Sequence, residues 1–157
     1  MNILFLDVDG PLIPLRLHET NSSGLFTYKY YLTGSKVMDA YFIEYLNEVL
    51  PAQNYKIVFN TAHNQFGKNY ILNHAEDNGF NMDLLHNDLM TKYPEEIYSR
   101  MGAIEDWLKR NDGIKNWIVI DDVYIADGIN HIRPSLMEGM TPEFIKQLDD
   151  MLVNNTF

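Results

Sequence analysis

The sequence predicts an α/β fold with a mostly parallel sheet, and three observations predict it. The runs Ile57-Val58-Phe59 and Trp117-Ile118-Val119-Ile120 are continuous apolar blocks, the pattern of strands covered on both faces. Apolar residues at helical spacing fill the stretches between such blocks. Strands alternating with helices imply βαβ units, whose crossovers leave neighbouring strands parallel.

In chain order, the apolar run Asn2-Ile3-Leu4-Phe5-Leu6 predicts a first strand. Met38, Phe42, Tyr45, Leu46 and Val49 then recur on one helical face. A second strand follows over residues 55–60 and a weaker third over 81–85. Ser99-Arg100 opens a helix that carries Ile104, Trp107 and Leu108 and ends near Asn111. A fourth strand spans 117–120 and a short fifth 128–132. Thr141-Pro142-Glu143 reads as an N-cap with proline at the first helical position, before Phe144, Ile145, Leu148 and Leu152 on one face. Residues 13–36 break this rhythm. Pro14, Asn21, Ser22, Ser23, Gly24 and Gly34 surround a strand-like stretch holding Tyr28, Tyr30 and Tyr31, which predicts a hairpin flap inserted after the first strand. No other insertion is long enough for a second domain, so residues 1–157 read as one.

Composition narrows the function. There is no cysteine, which excludes disulfides, a thiolate nucleophile and thiolate metal sites. No apolar run approaches the roughly 20 residues of a membrane span, so a cytoplasmic protein with no membrane partner is expected. The formal net charge of −10 argues against an extended nucleic-acid track, though not against a nucleotide or a nucleic-acid end.

The first strand ends in Asp7-Val8-Asp9-Gly10-Pro11. Carboxylates at alternate positions point the same way off a strand and repel unless a cation or a chemical task holds them together. Three further features fall at the same sheet edge: Asn60-Thr61 after the second strand, Asp121-Asp122 after the fourth, and Arg100 at a helix N-terminus. In parallel α/β folds, helix N-termini and strand C-termini share that edge, where ligands bind. Each feature alone is an ordinary turn, loop or helix-surface residue; the ordered set points to one pocket.

With these residues in order, the chain resembles the haloacid dehalogenase-like (HAD) hydrolases. That family carries Asp-x-Asp-Gly after its first strand, Ser or Thr after the second, a Lys near a later helix start and an acidic pair after a further strand. Here these are Asp7/Asp9, Thr61, Arg100 and Asp121/Asp122. More narrowly, the Asp-Val-Asp-Gly opening, the Ile-Asp-Asp strand end and Gly139-Met140-Thr141 are similar to the short HAD domains of Swiss-army-knife RNA-repair proteins. The resemblance implies a Rossmann-like three-layer fold with no large cap domain. It also implies a Mg²⁺-dependent phosphatase with Asp7 as nucleophile and Asp9 as general acid and base. Thr61, Arg100, Asp9 and Gly10 would bind phosphate. Mg²⁺ would be held by Asp7, the Asp9 carbonyl and Asp121, with Asp122 a ligand through water or a partner of the ligands. The expected substrate is a small phosphorylated molecule or a nucleic-acid end, and an oligomer is compatible with the open site.

Two departures accompany the match. Arg100 stands where the family has lysine, with Lys92 in the preceding loop as the other candidate and Lys109 too far along the helix. Pro11 removes a backbone N–H near the phosphate site. Both favour an alternative in which the fold is kept as a non-catalytic phosphate- or partner-binding module. The five histidines show no metal-site spacing; His63, two residues after Thr61, is close enough in sequence to contact substrate, but a loop or helix-start residue is the first reading. Trp107 and Trp117 read as core, and the Tyr28, Tyr30, Tyr31 cluster as cross-strand packing rather than a base-stacking platform.

Overall fold

A computed structural model describes residues 1–15, 38–92 and 99–154 of the chain. Its elements run β1 Asn2–Leu6, α1 Ala40–Ala52, β2 Tyr55–Phe59, α2 Lys68–Asp77, β3 Leu85–Met90, α3 Arg100–Arg110, β4 Asn116–Ile120, β5 His131–Ile132 and α4 Pro142–Asn154. The five strands form one sheet in the order β3-β2-β1-β4-β5. Every pairing is parallel, so the sheet expected to be mostly parallel is wholly so. The chain builds outward from β1 to β3, then crosses β1 to lay down β4 and β5. That reversal is the topological switch point at which α/β folds bind ligands.

Side-chain alternation along β1 produces the layers. Leu4 and Leu6 join a cluster with Phe42 and Leu46 of α1, Ile71 of α2 and Leu148 of α4. Ile3 and Phe5 face the other way, into a cluster with Ile104 and Trp107 of α3. Helices therefore cover both faces, which is why the strands read as unbroken apolar blocks. Each such side chain, fully buried, contributes about 1.5–3 kcal/mol. Trp107 is core as expected; it meets Phe5 edge-on at 5.4 Å, and its Nε1–H donates to the Asp88 carbonyl at 2.8 Å. Trp117 is only partly buried, against the same cluster.

Local chemistry sets the helix starts. Asp39 caps α1, its Oδ1 accepting from the N–H groups of Tyr41 and Phe42 at 3.1 and 3.3 Å. Ser99 Oγ accepts from Gly102 N–H at 2.9 Å and begins α3 at the predicted residue.

Three expectations need correction. The third strand is not at 81–85 but at Leu85–Met90, after a 3₁₀ turn at Met82–Leu84. Asn81 closes that turn by accepting from Asp83 N–H at 3.1 Å. The strand itself, LHNDLM, lies at the sheet edge and needs no apolar face on both sides, so its polar residues hide it from a hydrophobicity reading. The fifth strand is only His131–Ile132, the last two residues of its predicted span. Helix α2 has no counterpart among the predicted elements, because only Ile71 and Ala75 of its ten residues are buried. The flap expected over 13–36 lies, from residue 16 onward, outside the described residues, and the three tyrosines with it. No described helix is long and apolar enough to cross a membrane.

Candidate active site

Strand register assembles the site. Leu6 of β1 is level with Phe59 of β2 and Ile120 of β4. The next residues, Asp7, Asn60 and Asp121, therefore emerge side by side at the carboxyl edge. Backbone bonds hold them there: Asp7 N–H to Ile120 O at 2.9 Å, Asn60 N–H to Leu6 O at 3.0 Å, and Asp121 N–H to Ile132 O at 3.2 Å. Because Leu6 faces the larger cluster, the following residue turns toward the α3 side. Arg100, the first residue of α3, is waiting there. Its Nη1 lies 3.0 Å from Asp7 Oδ2, 2.9 Å from Asp121 Oδ2 and 3.0 Å from the Asn60 carbonyl.

The two N–H bonds of Nη1 are directed at Asn60 O and Asp121 Oδ2. Its contact with Asp7 Oδ2 is therefore one of charge rather than a directed hydrogen bond. Asp7 Oδ1 accepts from Val8 N–H at 2.8 Å, whereas Oδ2 is buried and has no directed hydrogen-bond donor among the described residues. Burial pushes the Asp7 carboxyl up to about 6, against the pull of Arg100, the Thr61 hydroxyl and Val8 N–H. Burial also pushes Asp121 up to about 7, with the Asp7 charge adding to it and Arg100 opposing. Arg100 is raised: burial works against its charge, but Asp7 and Asp121 outweigh that.

These shifts have a sign. Both carboxyls bind protons more tightly folded than unfolded, so between about pH 4 and 7 the native state holds more protons. Their stabilising contribution is present at the acid end of that window and lost as pH rises through it. In chelator, thermal unfolding at pH 5.5 is expected at a higher temperature than at pH 8. Asp121→Asn, which cannot ionise, should shrink the difference; an unchanged difference would refute the assignment.

Gly10 makes room for the second acidic pair. Its φ of +87° is left-handed, and a Cβ there would lie 2.8 Å from Cβ and 2.9 Å from Cγ of Asp122. Its N–H donates to Ile13 O at 3.2 Å, so the role visible for Gly10 is steric, and a phosphate contact from that N–H would require this bond to open. Gly139, in the Gly-x-Thr segment, packs under the same loop: a Cβ there would meet Pro14 at 2.9 Å and Gly10 O at 3.0 Å.

Of the remaining predicted residues, Thr61 is buried at the end of β2, caps the 3₁₀ turn Ala62–Phe66 and lies beside Asp7. Asp122 is half-buried beside Gly10, and its carbonyl accepts from Arg133 Nε–H at 3.0 Å. Between the two candidate cations, Arg100 is the one on the carboxylates; Lys92 is exposed and Lys109 sits in the last turn of α3. The residue that sequence spacing undervalues is His63. It does lie in the turn after β2, but its buried ring places Nε2 3.0 Å from Asp9 Oδ2. Its place two residues after the strand-end threonine was the only available signal.

Asp7, Asp121 and Asp122 each offer a carboxylate oxygen within 4.8 Å of the others. Three carboxylates with one guanidinium among them, an all-oxygen donor set and a hydrogen-bond-free Asp7 Oδ2 fit a hard divalent cation. The Asp9 carboxylate is not in this set and faces His63 instead. In comparison with known proteins, searches of curated proteins and of solved structures return no match. The family described as the HAD domain in Swiss Army Knife RNA repair proteins matches residues 3–145, from β1 into α4 and across every residue of the site. The fold, the order of the strand-end residues and this match agree: the chain belongs to that HAD domain family.

Proposed function

We propose that this protein is a Mg²⁺-dependent phosphomonoester hydrolase working through an aspartyl-phosphate, with a nucleotide or a nucleic-acid-end phosphate as substrate. The observation that carries this is Asp7 Oδ2, a buried carboxylate oxygen with no hydrogen bond, beside a cation and two further carboxylates. A lone pair kept free in a dry site suits a nucleophile. Oδ2 attacks phosphorus while the bond to the leaving oxygen breaks, and Asp9 gives that oxygen a proton. Asp9 then takes a proton from water, which attacks phosphorus; the Asp7–phosphorus bond breaks and inorganic phosphate leaves. Thr61 Oγ and the Arg100 N–H groups not engaged by Asn60 or Asp121 bind the equatorial oxygens. Asp7, Asp121 and the Asp9 carbonyl would hold Mg²⁺, with Asp122 beside them, and the bound ion would neutralise charge on the transferring group.

The test is phosphate release from a panel of mononucleotides, 3′-phosphorylated oligonucleotides and simple monoesters, with Mg²⁺ or chelator. Release that requires Mg²⁺ is expected. Neglect of both nucleotide classes with turnover of another monoester would remove the nucleic-acid assignment but not the hydrolase. The binding-module alternative has its own observation, because Arg100 Nη1 already occupies the space between Asp7 and Asp121. Saturable phosphate binding with no release from any ester would favour it.

A further inference from the structure

Asp9 stands on a loop rather than a strand, and its side chain is 34% exposed, yet a proton donor must offer one defined oxygen. His63 holds one of the Asp9 oxygens. Its ring is 5% exposed and has little freedom. Tyr70 stacks on it with centroids 6.1 Å apart and planes 22° apart, and Phe66 meets it at 6.2 Å and 71°. Tyr70 is itself held on α2, its ring 4.1 Å from that of His74, whose Nδ1 donates to the Tyr70 carbonyl at 2.9 Å. The Tyr70 hydroxyl lies 3.5 Å from His63 Nδ1. A hydroxyl donating there leaves the ring proton on Nε2, the atom 3.0 Å from Asp9 Oδ2.

We propose that His63 is a positioning residue for Asp9: Nε2–H donates to Oδ2 and holds that carboxyl oxygen in place. Tyr70 sets the tautomer of the ring. The assignment rests on the hydrolase reading above, and it adds a residue outside the Asp-x-Asp, Thr, Arg, Asp-Asp pattern. The competing role is that of an anchor for the Ala62–Phe66 turn, and leaving-group chemistry separates the two. A nitrophenolate departs without a proton, whereas an alkoxide needs one. In kcat/KM, which stops at formation of the aspartyl-phosphate, a defect in the acid therefore shows only with the alkoxide. Hydrolysis of the intermediate, where Asp9 is the base, is common to both esters.

The experiment measures kcat and KM of the full chain, as wild type, His63→Ala and His63→Gln, on an alkyl phosphate and on 4-nitrophenyl phosphate. For His63→Ala a loss in kcat/KM of about 100-fold is expected on the alkyl ester, the scale of a misplaced catalytic group. On 4-nitrophenyl phosphate kcat/KM should be nearly unaffected. Glutamine, whose amide N–H can reach Oδ2, should recover most of the loss. Equal losses of kcat/KM on both esters, or glutamine no better than alanine, would overturn the role and leave His63 an anchor. Wild type inactive on both esters would overturn the hydrolase reading and the His63 role with it. Independently of turnover, ¹⁵N NMR of the imidazole should find Nε2 protonated; a proton on Nδ1 alone overturns the proposal.

Discussion

Asp7→Asn is expected to release no phosphate and yet to unfold at a higher temperature than wild type. The loss follows from removing the proposed nucleophilic oxygen, and it should exceed about 10⁴-fold in kcat. The gain follows from electrostatics. Asp7 is buried at 1% exposure and raised to about 6, so its charge at pH 8 opposes folding. A shift of that size is worth about 3 kcal/mol, or about 9 °C in a domain of this length. Arg100 does not lose its partner, since Asp121 Oδ2 stays 2.9 Å away, and Asp121 loses a like charge. Phosphate release and differential scanning calorimetry in chelator check the two halves. A variant that is inactive and also less stable would show that Asp7 is a structural carboxylate.

Arg100→Met is expected to fail in the opposite sense. Methionine keeps most of the apolar stem but removes the cation from between Asp7 and Asp121. Removing one partner of a buried charge group costs about 3–5 kcal/mol, so the metal-free protein at pH 8 should lose about 10 °C or more. Lowering the pH to 5.5 protonates the two raised carboxyls and should return much of that stability. Activity should fall by about 10²–10³-fold, the effect of deleting one transition-state donor. Arg100→Lys keeps the charge but not two N–H bonds directed at Asn60 O and Asp121 Oδ2, so it should lie between. Thermal melts at both pH values and phosphate release decide it; a Met variant as stable as wild type at pH 8 would remove Arg100 from the centre of the site.

Much of this was legible in the chain because the decisive residues follow unbroken apolar strands. Asp7, Thr61 and Asp121-Asp122 each come directly after one or within two residues of it, so locating β1, β2 and β4 located them. Arg100 was legible because Ser99 is a strong capping residue, which fixes the helix start to the residue. β3 and α2 were not, for one reason: at a sheet edge or with a single buried stripe, the hydrophobic period fades into polar sequence. His63 was legible as a turn residue near the site, but its partner was not, for a different reason. Its contact with Asp9 spans 54 positions, and no local pattern encodes which side chain a loop will meet. The steric roles of Gly10 and Gly139 were also invisible, since what a Cβ would strike is set by Asp122 and Pro14, each distant in sequence.

The placement of β1 at the middle of the sheet also has a consequence for synthesis. Asn2 pairs on one side with Tyr55 and on the other with Asn116, 114 residues later in the chain. At the ~5–20 residues per second of translation, that second neighbour arrives on the order of ten seconds after β1. Until then, a β1–β2–β3 sheet ends in its most apolar strand, with Ile3, Leu4, Phe5 and Leu6 along an open hydrogen-bonding edge. Such an edge is a template for pairing with another chain. The strand that leads into Asp7, the proposed nucleophile, is therefore also a segment of the nascent chain in need of shelter.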